Sequence, residues 1–204
     1  MRATALVVLL LTCGAAVAAG QTTSPPTWSF SVAANTYFVP DDSNYVQPTV
    51  TADRDWLHLE ARYNYEALHT GSLWFGYNFE GGETVSWELT PMLAGVFGDT
   101  QAFAAGYRGT LSWRRFDMYS ESEYVFDAGD SADSFFYNWS EAALMPTEWL
   151  RCGLVIQRTR VYQTDRDVQR GLFAGVSIRN LDAVTYVLNP DDEATVVFSV
   201  VLRF

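Results

Sequence analysis

The chain contains no lysine: all 13 of its basic residues are arginine, set against 24 acidic residues for a formal net charge of -11 over 204 positions. Such a chain has little with which to hold a phosphate backbone, which excludes nucleic-acid binding as a leading function. Cysteine is almost as scarce. Cys13 and Cys152 are the only two, leaving neither a disulfide framework nor a thiolate metal site. No apolar run reaches the roughly 20 residues that a membrane-crossing helix needs. Nor does any segment after residue 20 sustain an apolar stripe at the helical period. Disorder is excluded by what is present, 49% hydrophobic and 15% aromatic residues spread along the chain.

Met1 to about Gly20 reads as an export signal that is removed. Arg2 supplies a positive n-region and Ala5 to Leu11 an apolar h-region. The small-x-small sites Ala16-Val17-Ala18 and Ala18-Ala19-Gly20 place the mature start near Ala19 or Gln21. A competing lipobox at Leu10-Leu11-Thr12-Cys13 departs from the usual pattern at Thr12. No linker or composition shift divides residues 21–204, which are expected to form a single domain.

What recurs through that domain is period-two alternation, broken by clusters of Gly, Asp, Asn and Pro. Leu57, Leu59, Ala61, Tyr63 and Tyr65 oppose His58, Glu60, Arg62, Asn64 and Glu66. At the C-terminus Val196, Phe198, Val200, Leu202 and Phe204 share one face, with Thr195, Ser199 and Arg203 on the other. The pattern predicts twelve strands, at 27–38, 45–53, 55–66, 72–80, 84–96, 101–113, 116–126, 134–145, 149–161, 170–180, 182–189 and 194–204. Ten or eight are the alternatives, because 45–53 contains Pro48 and 182–189 is short. Pro91 donates no ladder hydrogen bond and is expected to mark a bulge or an end in 84–96. Connections alternate between short turns, such as Arg114-Arg115, and longer acidic loops, such as Asp127–Asp133. A meander crossing a membrane has that asymmetry.

A soluble sandwich or lipocalin-like barrel alternates as well, with its apolar face inward. Three features favour the membrane. The segments match the 9–11 residues that cross hydrocarbon at a tilt and exceed the usual strand. Aromatic residues gather towards strand ends, among them Trp28, Trp56, Trp87, Trp113 and Trp149. The polar face mixes small groups with charges of both signs instead of carrying lysine.

The ending Val196-x-Phe198-x-Val200-x-Leu202-x-Phe204 resembles the C-terminal strand of bacterial outer-membrane β-barrels of the porin-like kind. The resemblance implies an all-β, closed, antiparallel up-and-down transmembrane barrel in the outer membrane. It also implies an even strand number, both ends of the chain in the periplasm, and an assembly signal. Phe198, Val200, Leu202 and Phe204 would carry that signal to the barrel-assembly machinery. The remaining partners would be outer-membrane lipid and small polar solutes.

In this register the lumen collects His58, Glu60, Arg62, Glu88, Arg108, Glu121, Glu123, Arg151 and Arg179, the candidate pore-lining residues. Glu121 and Glu123 go inward because Ser120 and Ser122 cost less against lipid. Strand 134–145 is awkward: with Phe135, Tyr137 and Trp139 outward and Asn138 and Ser140 inward, Glu141 also faces lipid. Arginines and glutamates at similar depth allow two functions. They line a water-filled pore for small polar solutes, or they pair and fill a non-conducting structural or adhesive barrel. Interior width grows with strand number, and twelve strands favour the pore.

Catalysis has weaker support. No Gly-x-Ser-x-Gly elbow is present, and no His, Ser and Asn spacing like that of an outer-membrane phospholipase stands out. His58 reads as a wall residue, and no catalytic residue is assigned. Asp127, Asp130 and Asp133 lack the ligand spacing of a calcium loop. Asn138-Trp139-Ser140 matches a glycosylation sequon inside a strand and reads as wall. No metal or other cofactor is implied.

Overall fold

Strict alternation with turn residues between the runs becomes a meander of strands, and lipid-type outer faces force that meander to close. The computed structural model describes residues 27–40, 42–129, 134–158 and 168–204. The export signal expected at 1–20 lies outside them, as do Asp130 and Asp133. The first strands are β1 (Ser29–Phe38), β2 (Tyr45–Arg54), β3 (Leu57–Tyr63), β4 (Thr70–Tyr77), β5 (Phe79–Gly81) and β6 (Ser86–Gly98). There follow β7 (Ala102–Trp113), β8 (Phe116–Asp127), β9 (Phe135–Thr147), β10 (Leu150–Arg158), β11 (Val168–Ile178), β12 (Leu181–Leu188) and β13 (Thr195–Arg203). Every pairing is antiparallel, β1 pairs with β13 from Ser31↔Arg203 to Phe38↔Val196, and β4 and β5 both pair with β6. The result is a closed barrel of twelve wall strands, β4 and β5 being two pieces of one.

The prolines explain the irregularities. Pro48 sits in β2 beyond the stretch paired with β3, which begins at Thr49↔Arg62, so its missing donor costs no bond on that side. Pro91 stays inside a continuous β6, and it is the partner strand that breaks. Pairing runs to Gly76↔Met92 on β4 and resumes at Phe79↔Leu89 on β5, leaving Pro91 opposite the interruption. There Asn78 N–H donates to the Trp56 carbonyl at 2.7 Å instead. Pro146 lies beside the register shift between Leu150 and Cys152, where β9 bulges against β10.

The connections at one end of the barrel are all short turns. Asp55, Arg114 and Arg179 open three of them with φ of 55°, 56° and 57°. The longer connections lie at the other, loop end. Outward positions carry the large apolar side chains, with Leu73 60%, Leu154 59% and Leu172 56% exposed. The charges turn inward, with His58, Glu60 and Arg62 all buried. Charges inside and hydrocarbon outside is the arrangement of a wall made to stand in lipid. The C-terminal strand fits it, with Phe198, Leu202 and Phe204 outward and Phe204 N–H donating to the Phe30 carbonyl at 2.9 Å.

One strand reverses the expected parity. In β9 Tyr137, Trp139 and Glu141 point inward and are buried, while Phe136, Asn138, Ser140 and Leu144 point outward. A single-residue change of register moves every side chain to the other face. The carboxylate decides which way it goes, since a lipid-facing Glu141 costs more than lipid-facing amide and hydroxyl groups.

Candidate functional site in the lumen

Arg62 organises the middle of the interior. β3 projects it inward between Glu60 on its own strand and Glu121 and Glu123 on β8. Its Nε donates to Glu60, while Nη2 lies 2.9 Å from Glu121 Oε1 and Nη1 lies 2.9 Å from Glu123 Oε2. The guanidinium plane also covers the rings of Tyr65, 4.2 Å away, and Trp74, 4.5 Å away. Planar and always charged, arginine satisfies three carboxylates and two aromatic faces at once, which an ammonium group could not.

The network continues from Glu60. Arg108 on β7 donates to Glu60 Oε2 at 2.6 Å, and His58 Nε2 lies 3.1 Å from the same oxygen. His58 Nδ1 lies 2.7 Å from Asp53, which also accepts from Asn78 at 3.0 Å. Tyr65 leaves β3 and reaches across the lumen, donating to Glu121 at 2.8 Å and packing edge-on against Tyr137 of β9. A second centre forms on Glu141, which accepts from Trp139 Nε1 and the Tyr186 hydroxyl at 2.8 Å each and from Arg151 at 2.7 Å.

These layers split the interior in two. Towards the turn end is a cavity of about 860 Å³, lined from Ser29, Ser112, Ser177 and Arg203 inward to Arg108, Glu121, Glu141 and Tyr186. Towards the loop end Val125, Val155 and Leu188 are packed to 1% exposure or less. Glu66 is buried there as well, accepting from Ser72 at 2.6 Å and Trp74 at 3.1 Å.

Of the residues expected to line a pore, His58, Glu60, Arg62, Arg108, Glu121 and Glu123 meet in one network, and Arg151 belongs to the Glu141 centre. Glu88 also lines the cavity, at its exposed turn end and apart from the network. Arg179 does not face the lumen. β11 ends at Ile178, two residues before the strand end that the pattern predicts, so Arg179 is an exposed turn residue with positive φ. The sequence reading missed Asp53, Tyr65, Glu66 and Glu141. For Glu141 the signal was available, because putting the carboxylate inward fixes the parity of β9. Tyr65 and Glu66 enter from the β3–β4 connection, where alternation carries no information. Among the described residues no cluster of three or more His, Cys, Asp or Glu side chains could hold a metal ion.

The architecture has a counterpart among solved structures. A KdgM porin superposes with a TM-score of 0.62 at 10% identity, covering 85% of this chain and 99% of that one. The fold is porin-like. No family model matches the sequence, and no curated protein does. At such low identity the likeness is one of fold alone.

Proposed function

We propose that the chain is an outer-membrane, porin-like barrel that passes small polar solutes, with the Arg62 layer as its constriction. The observation that carries this reading is a lumen where charges of both signs meet beside a cavity of about 860 Å³. Guanidinium and carboxylate groups on opposed walls set up a field across the lumen, which orients dipolar solutes and excludes apolar ones. Among the described residues, one buried oxygen each of Glu66, Glu123 and Gln157 has no hydrogen-bonding partner. Such atoms are costly unless water reaches them, which favours a lumen that hydrates. The turn end then faces the periplasm and the acidic loops face outward. An N-terminal signal removed near residue 20 exports the chain, and the assembly machinery reads Phe198, Val200, Leu202 and Phe204.

The reading is non-enzymatic. Both ring nitrogens of His58 are engaged by carboxylates, so the imidazole is not turned to a hydroxyl nucleophile as catalysis would require. One observation favours the second reading, a non-conducting structural barrel: the loop-end half is closely packed. Planar-bilayer recording decides between them. Discrete conductance steps are expected from the wild type, with larger steps from Arg62→Ala. Absence of steps from both proteins would leave the structural barrel. Five network carboxylates (Asp53, Glu60, Glu121, Glu123, Glu141) face three guanidiniums (Arg62, Arg108, Arg151). A salt gradient is therefore expected to give a reversal potential of cation-selective sign.

A further inference from the structure

Around most of its circumference the wall presents large apolar side chains to the outside, with Leu73, Leu93, Leu154 and Leu172 each more than half exposed. The sector formed by β7, β8 and β9 differs. At the middle of these strands the outward positions are Tyr107, Ser120, Asn138 and Ser140, with Ser122 beneath them, covered by its neighbours to 6% exposure. Register places Ser122 opposite both Tyr107 and Asn138, and Ser120 opposite Ser140. The side chains join into a seam. Ser120 Oγ lies 3.0 Å from Ser140 Oγ and 3.3 Å from the Tyr107 hydroxyl, and Asn138 Nδ2 donates to Ser122 Oγ at 2.7 Å. Exposed aromatic rings bracket the seam, Trp113 and Phe116 towards the turn end and Phe103 and Phe126 towards the loop end. Such rings mark the two membrane interfaces, so the seam lies at hydrocarbon depth.

Acyl chains offer these groups neither donor nor acceptor. The hydroxyls of Tyr107, Ser120 and Ser140, which are not buried, each carry one proton and acceptor positions that contacts within the seam do not exhaust. Polar groups and small side chains on a lipid-facing surface are what membrane-embedded protein contacts use. The chemistry also indicates which partner fits. Copies of one chain inserted in one membrane share an orientation, so two of them meet about a two-fold axis along the membrane normal, and each patch must complement itself. Hydroxyl and amide groups both donate and accept, so this seam matches its own copy; a patch of one charge would repel it. We propose that two copies of this chain pair in the membrane through the β7–β9 face, seam against seam. The pairing rests on the membrane-spanning reading and is independent of whether the lumen conducts.

Sedimentation equilibrium of the full-length protein in density-matched detergent tests this, with heat-modifiable gel migration reporting the folded barrel separately. Wild type is expected to sediment as a dimer. Ser120→Leu/Ser140→Leu is expected to keep heat-modifiable migration and weaken pairing by roughly tenfold or more, while Leu154→Ala/Leu172→Ala on the β10–β11 face leaves pairing unchanged. A wild-type monomer at all concentrations, or an unweakened seam variant, overturns the proposal. Should the double variant not fold, Ser140→Cys in a Cys152→Ala background is oxidised in intact membranes instead. A disulfide-linked homodimer supports the pairing; linkage only to a different protein, or none, refutes it. Loss of heat-modifiable migration by the wild type would count against the membrane barrel itself.

Discussion

Below the Arg62 layer the lumen is lined by Ser31, Thr51, Ser177 and Ser199 around a cavity of about 860 Å³. Above it Val155 and Leu188 pack in one apolar cluster and Val125 in a second beside Trp74 and Met92, each of these aliphatic side chains with 1% exposure or less. The same strands build both halves, so strand number and closure cannot account for the contrast. Side-chain volume at inward positions does. A twelve-strand wall encloses more space than short polar groups fill, and the interior closes only where branched and aromatic side chains reach inward. At the boundary Arg62 from β3 and Tyr65 from the β3–β4 connection span the lumen to β8 and β9. The lesson is that interior width in such a barrel is set layer by layer, by residues that the outer face does not reveal.

The strongest way to break that contrast is at its boundary. Arg62→Ala leaves Glu60, Glu121 and Glu123 buried without the cation they share. Removing one partner of a buried ion cluster costs about 3–5 kcal/mol. A matching fall in the urea midpoint, followed by tryptophan fluorescence in micelles, is expected. A loss under about 1 kcal/mol would mean that water already screens the layer, placing it with the open half.

Next is the packed half itself. Leu188 is fully buried, and Leu188→Ala is expected to lower stability by about 2–5 kcal/mol, the range for a buried leucine that leaves a cavity. An effect near zero in the same denaturation experiment would show that the loop-end half is loose and the two halves alike. Glu141→Gln comes third. It keeps the shape that Trp139 and Tyr186 hold but leaves Arg151 without its carboxylate. About 1–2 kcal/mol is expected, because Arg151 remains partly open to the cavity and is screened there.

How much of this was legible follows from what alternation encodes. Period two fixes which residues share a face, so the twelve strands, the inward placement of Glu60, Arg62, Glu121 and Glu123, and the outward Phe198 and Phe204 follow from sequence. It does not fix which of two mixed faces is the inner one. In β9 both faces carry aromatic or polar groups, and only the cost of a lipid-facing Glu141 settles the matter. Nor does it reach into connections. Tyr65 and Glu66 turn into the lumen from the β3–β4 loop, and Arg179 falls into a turn because β12 begins at Leu181. The interruption opposite Pro91 was legible as a disturbance but not as one in the partner strand.

The smallest expected effect completes the comparison from the open side. Ser177 lines the turn-end cavity on β11 and is only partly buried. Ser177→Ala removes a hydroxyl that water already serves, and a change within about 0.5 kcal/mol is expected, as for a surface position. Ser72 provides the contrast. It is buried on β4 and donates to Glu66 at 2.6 Å, so Ser72→Ala is expected to cost about 1–3 kcal/mol by depriving a buried carboxylate of a donor. Both substitutions remove one hydroxyl from an inward position of the same wall. Equal urea midpoints for the two variants would show that water reaches the loop-end half as freely as the turn-end half, and the packed layer would then be no barrier to solutes. A clear separation places the dry part of the lumen between Arg62 and the loops, where a passing solute must displace side chains rather than water.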